Sequence, residues 1–278
     1  MDQPKSQPLL MPNRIVFSDI DGTLLNPERE LSSFTISEVQ RIKNQIPVIL
    51  ISSRMPSAMT HLQNELGIID QPLICYNGGL ILVDQQPIHS TVIPVDIIEK
   101  LNTFNASTKV HLSLYYEDEW YVPEMDFWAN REASNTKVVP QVKSTSRVID
   151  TWRDGNKGAH KIMCMGEEPM IDKVFNYLNS TFGNHLHLYR SKPTYIEIAH
   201  KSISKLTAIE MLLDTHFDIP ISDVVAFGDN YNDMEMLKAV GTGVAVANAK
   251  KEVLQIADTV TLAGKEDGVA TYIKNNIL

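Results

Sequence analysis

The chain has 278 residues, 43% apolar and 21% charged, with a formal net charge of −9. That is room for one large domain or two modest ones with a real core. The acidic balance argues against nucleic acid or an anionic membrane as the main partner, since both require a basic face.

Residues 1–12 hold Pro4, Pro8 and Pro12 among polar side chains and read as a loose leader without the apolar core of a signal peptide. Ile15-Val16-Phe17 then reads as a short buried strand. Ile36, Val39 and Ile42 recur at helical spacing, with Ser32 or Ser33 as the cap. Val48-Ile49-Leu50-Ile51 is a continuous apolar run of the buried parallel type. Pro56 opens a helix marked by Met59, Leu62 and Leu66, and Leu73-Ile74-Cys75-Tyr76 is the next strand. Strands alternating with helices imply parallel crossovers and an α/β sheet.

The pattern changes at a turn over Asp84-Gln85-Gln86-Pro87. Beyond it the strands alternate with period two, as in His111-Leu112-Ser113-Leu114-Tyr115 and Leu186-His187-Leu188-Tyr189. Helical spacing runs through Ile98, Leu101 and Phe104, and again through Met170, Val174 and Leu178. Buried-strand runs return at Val224-Val225-Ala226-Phe227 and Val244-Ala245-Val246. The expected fold is a Rossmann-like parallel-sheet α/β core, residues 1–84 and 193–278, split by an inserted α+β module with an antiparallel sheet, residues 85–192. Cys75 and Cys164 each lie in an apolar run and read as buried thiols. No stretch is long and apolar enough to span a membrane, and a reducing, cytoplasmic setting follows.

Ligands of parallel α/β sheets bind beyond the carboxyl ends of the strands. There stand Ser18-Asp19-Ile20-Asp21-Gly22-Thr23, Ser52-Ser53-Arg54, Asn77-Gly78-Gly79 and Gly228-Asp229-Asn230-Tyr231-Asn232-Asp233. Each alone reads as a turn or a helix cap; together they make one anionic pocket. Asp19, Asp21, Asp229 and Asp233 repel one another unless a cation offsets them. A hard divalent ion with oxygen ligands suits the set, and Mg²⁺ fits few carboxylates plus a phosphate. Lys205, after Ser204 at a helix start, supplies one fixed positive charge. Ser52 and Ser53 leave backbone N–H groups open to phosphate oxygens.

These residues resemble the motifs of the haloacid dehalogenase superfamily, in its Cof-type branch with a large α/β cap. Asp19-Ile20-Asp21-Gly22-Thr23 resembles the first motif, Ser52 the second, Lys205 the third and Gly228 to Asp233 the fourth. The resemblance implies a phosphatase in which Asp19 attacks phosphorus and forms an aspartyl-phosphate. Asp21 protonates the leaving oxygen and then activates water. Mg²⁺ lies on Asp19, the Asp21 carbonyl and Asp229, with Asn230 or Asp233 nearby. The phosphoryl group rests on Ser52, the backbones of Ile20 and Ser53, Lys205 and Asn232. The inserted module is then the cap that selects the leaving group. Tyr115, Tyr116, Trp120 and Tyr121 form its densest aromatic cluster, read first as strand packing.

Ser53 and Leu206 stand where the family usually has glycine; Ser53 can present its N–H only with φ below zero. The implied substrate is a small phosphorylated metabolite such as a sugar phosphate. A phosphomutase of the phosphomannomutase type, or a non-catalytic phosphate-binding regulator, are the alternatives. Monomer and homodimer are both open.

Overall fold

A computed structural model describes residues 14–277. The leader reading of residues 1–12 lies outside the described residues. Strand β1 (Ile15–Ser18) leads to helix α1 (Ser33–Ile42). The serine question resolves at Ser32, whose side chain accepts the Thr35 N–H at 2.9 Å. Strand β2 (Val48–Ile51), helix α2 (Ser57–Leu66) and strand β3 (Leu73–Cys75) follow.

Next come strands β4 (Leu80–Val83) and β5 (Gln86–Ser90). The turn between them is two residues, Asp84 and Gln85, with φ of 50° and 61°. Positive φ at both positions matches the twist of a tight hairpin. Gln86 and Pro87 are therefore strand, not turn, and β5 extends the first sheet. The chain leaves that sheet after Ser90, later than the expected 84/85 boundary.

The inserted module begins with the short β6 (Ile93–Pro94), helix α3 (Val95–Thr108) and strands β7 (His111–Tyr116) and β8 (Glu119–Val122). It continues through α4 (Phe127–Thr136), β9 (Gln141–Val142), α5 (Thr145–Asp154) and β10 (Gly158–Ala159). Then follow β11 (Lys161–Met165), α6 (Glu168–Phe182), β12 (Leu186–Lys192) and β13 (Tyr195–His200). β13 pairs with β11 and β12. The return to the first sheet thus comes after His200 rather than at 192/193, because Tyr195–His200 is still bonded inside the module. The last part is α7 (Lys205–His216), β14 (Val224–Gly228), α8 (Met234–Ala239), β15 (Thr242–Val246), α9 (Lys251–Ile256), β16 (Thr259–Thr261) and α10 (Gly268–Asn276).

The first sheet has the order β16-β15-β14-β1-β2-β3-β4-β5, parallel from β16 to β3 and antiparallel through β4 and β5. Alternate residues point to opposite faces. Val16, Leu50, Phe227 and Val246 meet α1, α2 and α10; Ile15, Phe17, Ile51 and Ala226 meet α7, α8 and α9. The α/β core with an inserted α+β module is therefore the architecture observed.

The module's sheet runs β12-β13-β11-β7-β8-β9, antiparallel except for the β8–β9 pair. One face packs on α3, α5 and α6 around Leu114, Ile162, Ile198 and Trp152. The other turns toward the first sheet, where Tyr115, Trp120, Met163 and Met165 join a cluster with Met55 and Tyr76. Both faces are covered, so the polar alternates His111 and Ser113 are buried too. They satisfy each other at 2.9 Å, with Asp126 on the second histidine nitrogen at 2.8 Å. The period-two pattern there separates two kinds of buried face, not inside from outside. The aromatic cluster is packing: Tyr115 stacks on Trp120 at 5.5 Å, and Tyr116 and Tyr121 both meet Trp152 at 6.0 Å. Cys75 and Cys164 are buried free thiols, in β3 and β11. Among the described residues no helix is long and apolar enough to cross a membrane.

His160 sits where the module joins the first sheet. Its ring stacks on Tyr76 at 5.2 Å and on Tyr116 at 5.0 Å. Nδ1 accepts the Glu117 N–H at 3.0 Å, which leaves Nε2–H to donate to the Ser90 hydroxyl at 2.9 Å. Burial, and then the charge of His89, push its pKa from 6.5 to about 4. The folded form therefore binds fewer protons than the unfolded chain between those values. Stability from this group is full above pH 6.5 and is lost as pH falls toward 4, by about 3 kcal/mol in all. Urea midpoints between pH 7 and pH 4.5 should fall more steeply for the wild type than for His160→Asn, which keeps the acceptor but cannot take the proton.

Candidate active site

β14, β1, β2 and β3 lie side by side and parallel, so the polar segments after them share one edge. The Asp19 N–H donates to the Phe227 carbonyl at 3.0 Å and the Ser52 N–H to that of Ile74 at 3.0 Å, carrying the ladder one residue past the strands. The Ile20 carbonyl then accepts from Leu24 and Leu25 and folds the chain back, while the Ile20 side chain is buried. Gly22 has φ 89°, and a Cβ there would stand 2.6 Å from Asp229 Oδ2. Only glycine permits both the left-handed turn and that approach. Gly228 likewise admits Asp233, whose carboxyl carbon lies 2.6 Å from where a Cβ would be.

Lys205 is fully buried at the first position of α7, with Ser204 and Thr207 forming a capping box. Its Nζ donates to Asp19 Oδ1 and to Asp233 Oδ1, each at 2.6 Å. Asp233 Oδ2 accepts the N–H groups of Asp229 and Asn230, both at 2.9 Å. Asp233 thus shapes the loop and orients the lysine. The Asp229 carboxylate accepts the Thr23 hydroxyl at 3.2 Å.

One carboxylate oxygen from each of Asp19, Asp229 and Asp233 lies within 4.8 Å of the others. Burial, reinforced by Asp233 and Asp229, drives the Asp19 pKa well above its ordinary value against the pull of Lys205. Burial and Asp233 push Asp229 up to about 7. Burial works against the charge on Lys205, but Asp19 and Asp233 outweigh it and raise its pKa. Three carboxylates with one lysine leave negative charge uncompensated in a nearly dry place. An all-oxygen donor set with that surplus fits a hard divalent cation.

The other expected residues fall around this centre. Asn230 spends its side-chain oxygen on the Tyr231 N–H at 2.9 Å. Asn232 donates to Asn77 Oδ1 at 2.9 Å. Ser52 is buried, and its hydroxyl accepts the Arg54 N–H at 3.3 Å. Ser53 is not among the residues with positive φ, so its backbone meets the condition set by the missing glycine. Leu206 packs at the edge of the α7 cluster.

Asp21 stands apart from the acidic trio. Arg54 grips it with Nε at 2.7 Å and a second nitrogen at 2.8 Å, and Arg29 adds a bond at 2.8 Å. Burial alone would raise its pKa, but the Arg54 bonds and charge, with Arg29, hold it below the ordinary value. Arg54 is thereby a direct partner of Asp21. Asn77, Lys161 and Glu197 also reach the site, and only Asn77 stood in a strand-end motif. Lys161 opens the apolar strand β11 and Glu197 interrupts the apolar run of β13, so each is a charge in a segment that reads as buried.

A cavity of about 400 Å³ lies between the two sheets. The parallel sheet contributes Asp19, Asp21, Ser53, Asp229 and Asn232. The module contributes Trp128, Lys161, Met163, Tyr189, Tyr195 and Glu197. The sequence profile of the haloacid dehalogenase-like hydrolases matches residues 16–273. The chain belongs to that family. It is 32% identical over 265 residues to a Haemophilus influenzae protein with a provisional phosphatase name, covering 94% of this chain and 97% of the relative. It is 27% identical over 270 residues to the Bacillus subtilis 5-amino-6-(5-phospho-D-ribitylamino)uracil phosphatase YitU, covering 94% and 96%. A haloacid dehalogenase-like hydrolase of Bacteroides thetaiotaomicron superposes with a TM-score of 0.85 at 27% identity, over 94% of this chain and 98% of that one. This haloacid dehalogenase-like chain is an enzyme of the phosphatase kind.

Lys205→Met removes the one cation between two buried carboxylates. It should lower unfolding free energy by about 3–5 kcal/mol in metal-free buffer at neutral pH, as read by urea denaturation.

Proposed function

We propose that the protein is a Mg²⁺-dependent phosphomonoester hydrolase that acts on a small phosphorylated metabolite through an aspartyl-phosphate at Asp19. The observation that carries this reading is the placement of Asp19. Its Oδ1 is held by Lys205 at 2.6 Å, its carboxylate lines the cavity beside Asp229, and Asp21 lies two residues on. A carboxylate fixed at one oxygen keeps the other as a nucleophile of defined direction.

In this reading the bond from phosphorus to the ester oxygen breaks as the Asp19 oxygen bonds to phosphorus. Lys205, the Ser52 hydroxyl, the Ser53 N–H and Asn232 hold the phosphoryl oxygens. Asp21 gives its proton to the leaving oxygen, then takes one from the water that attacks the aspartyl-phosphate. Arg54 and Arg29 favour the ionised form of Asp21, the form the water step uses. An incoming phosphate competes for those guanidiniums and frees Asp21 for the acid step. Asp19, Asp229 and the Asp21 carbonyl would hold the Mg²⁺, with Asp233 fixing their loop. When bound, the cation offsets charge on the transferring group.

The module acts as a cap that selects the leaving group. A cavity of about 400 Å³ suits a small metabolite rather than a polymer. Sugar phosphates are the first candidates. Phosphorylated pyrimidine derivatives follow, on the name of the YitU relative and the aromatic wall of Trp128 and Tyr189. The two buried thiols suit a reducing cytoplasm.

Asp19→Asn should cut turnover by about a thousandfold or more with the melting temperature retained; normal turnover would remove Asp19 as nucleophile. Chelation should silence phosphate release from a panel of sugar and nucleotide phosphates, and Mg²⁺ should restore it. Activity indifferent to EDTA would assign the acidic trio another role.

A further inference from the structure

Glu197 projects from strand β13 of the module, yet its bonds are to the parallel sheet. Its Oε1 accepts from Asn77 Nδ2 at 2.9 Å. Asn77 follows β3, is 2% exposed, and spends its other side-chain atom, Oδ1, on Asn232 Nδ2 at 2.9 Å. Its backbone is left-handed, with φ 56°, and its N–H donates to the Ser52 carbonyl at 2.8 Å. The Ser53 hydroxyl stands beside the Glu197 carboxylate and helps hold its pKa down, an influence a glycine at 53 would lack. From the neighbouring strand β11, Lys161 donates to the Ser53 carbonyl at 2.9 Å and lies over the Tyr115 ring at 4.4 Å. Lys161 thus holds Ser53 from the module, and Glu197 reaches Asn232 through a single intermediary.

We propose that Glu197 is a positioning residue by which the seated module completes the phosphate-binding surface, holding Asn232 through Asn77. The inference rests on the hydrolase reading above, in which Ser53 and Asn232 bind the phosphoryl group. The physical basis is satisfaction of buried polar groups. A carboxylate taken out of water needs donors, and Glu197 finds them on the parallel sheet with Lys161 nearby. Burial raises its pKa while Lys161 and Ser53 pull it back. Asn77 has no spare side-chain atom: without Glu197 its amide nitrogen is left unpaired, and a rotation to repair that loses Asn232. Module position and phosphate affinity are therefore coupled, so an ester whose leaving group seats the module also sharpens the site that holds its phosphate.

The test measures competitive inhibition by inorganic phosphate alongside kcat and KM for p-nitrophenyl phosphate, in the full chain with Mg²⁺. Glu197→Ala should raise the phosphate inhibition constant about tenfold, in keeping with loss of a charge-assisted bond, and should lower kcat. Glu197→Gln keeps an acceptor for Asn77 and should stay within about threefold of wild type. Glu197→Ala with Asn77→Ala should be no worse than the weaker single variant, as for members of one chain. A raised ester KM with unchanged phosphate inhibition would overturn the proposal and make Glu197 a leaving-group contact. If Glu197→Ala does not fold, Asn77→Gly decides: it keeps the left-handed backbone and removes the amide between Glu197 and Asn232, and an unchanged inhibition constant there also overturns the proposal. Wild-type protein that releases no phosphate from any ester defeats the hydrolase reading instead. Phosphate binding by calorimetry then still separates wild type from Glu197→Ala and decides the coupling.

Discussion

The buried ammonium of Lys205 is the interaction on which the rest of the site depends. It touches Asp19 and Asp233, and no part of it reaches solvent. Without it, two buried carboxylates that follow different strands would face each other uncompensated. With it, Asp19 is aimed and Asp233 is free to hold the loop after β14 by two N–H groups. The lysine reaches this depth because α7 starts at the sheet edge, capped by Ser204. Gly78, at φ 103°, lets the turn after β3 approach Ser204 to where a Cβ would stand only 2.7 Å from its carbonyl oxygen.

The charge balance around that lysine sorts the acids by task. Asp19 and Asp229 are pushed toward protonation by burial and by the neighbouring charge of Asp233. Asp21 is pulled the other way by two guanidiniums. Carboxylates so close in sequence and space behave differently because their partners differ, not because their chemistry does. The surplus negative charge of the first group is what makes a divalent cation a fitting occupant.

The module is joined to the parallel sheet by more than its two chain crossings. Tyr76 donates to the Glu117 carbonyl at 2.6 Å, and Asp118 accepts the Ser57 N–H at 2.7 Å, supplying the acceptor that Pro56 cannot give to α2. Around these bonds one apolar cluster runs from Met59 to Met163. The acidic turn of Glu117, Asp118 and Glu119 is thus a contact between the two sheets, and the aromatic residues beside it fill the space behind.

Local pattern was enough to read β1, β2, β3, β14 and β15 of the parallel sheet, the helices at Ile36 and Met59, and the acidic strand ends. Each depends on neighbours along the chain: an apolar run, a helical period, a glycine after an acid. Helix α5 went unread although Thr145, Val148, Ile149 and Trp152 recur at helical spacing, while α4 buries only Ala129 and left little to read. The boundaries of the insertion depended on hydrogen bonds between distant strands, and so β5 and β13 fell on the wrong side of the expected divisions. The partners of the site residues needed the third dimension for the same reason. Arg54 and Asp21 are 33 positions apart, Asn77 and Glu197 are 120, and Lys205 and Asp19 are 186. Sequence by itself determined which polar residues follow the buried strands and at which edge of the sheet they stand. Only the tertiary structure decided which carboxylate faces which cation, because Coulomb and hydrogen-bond energies depend on separation in space and on burial, and neither is a property of position along the chain.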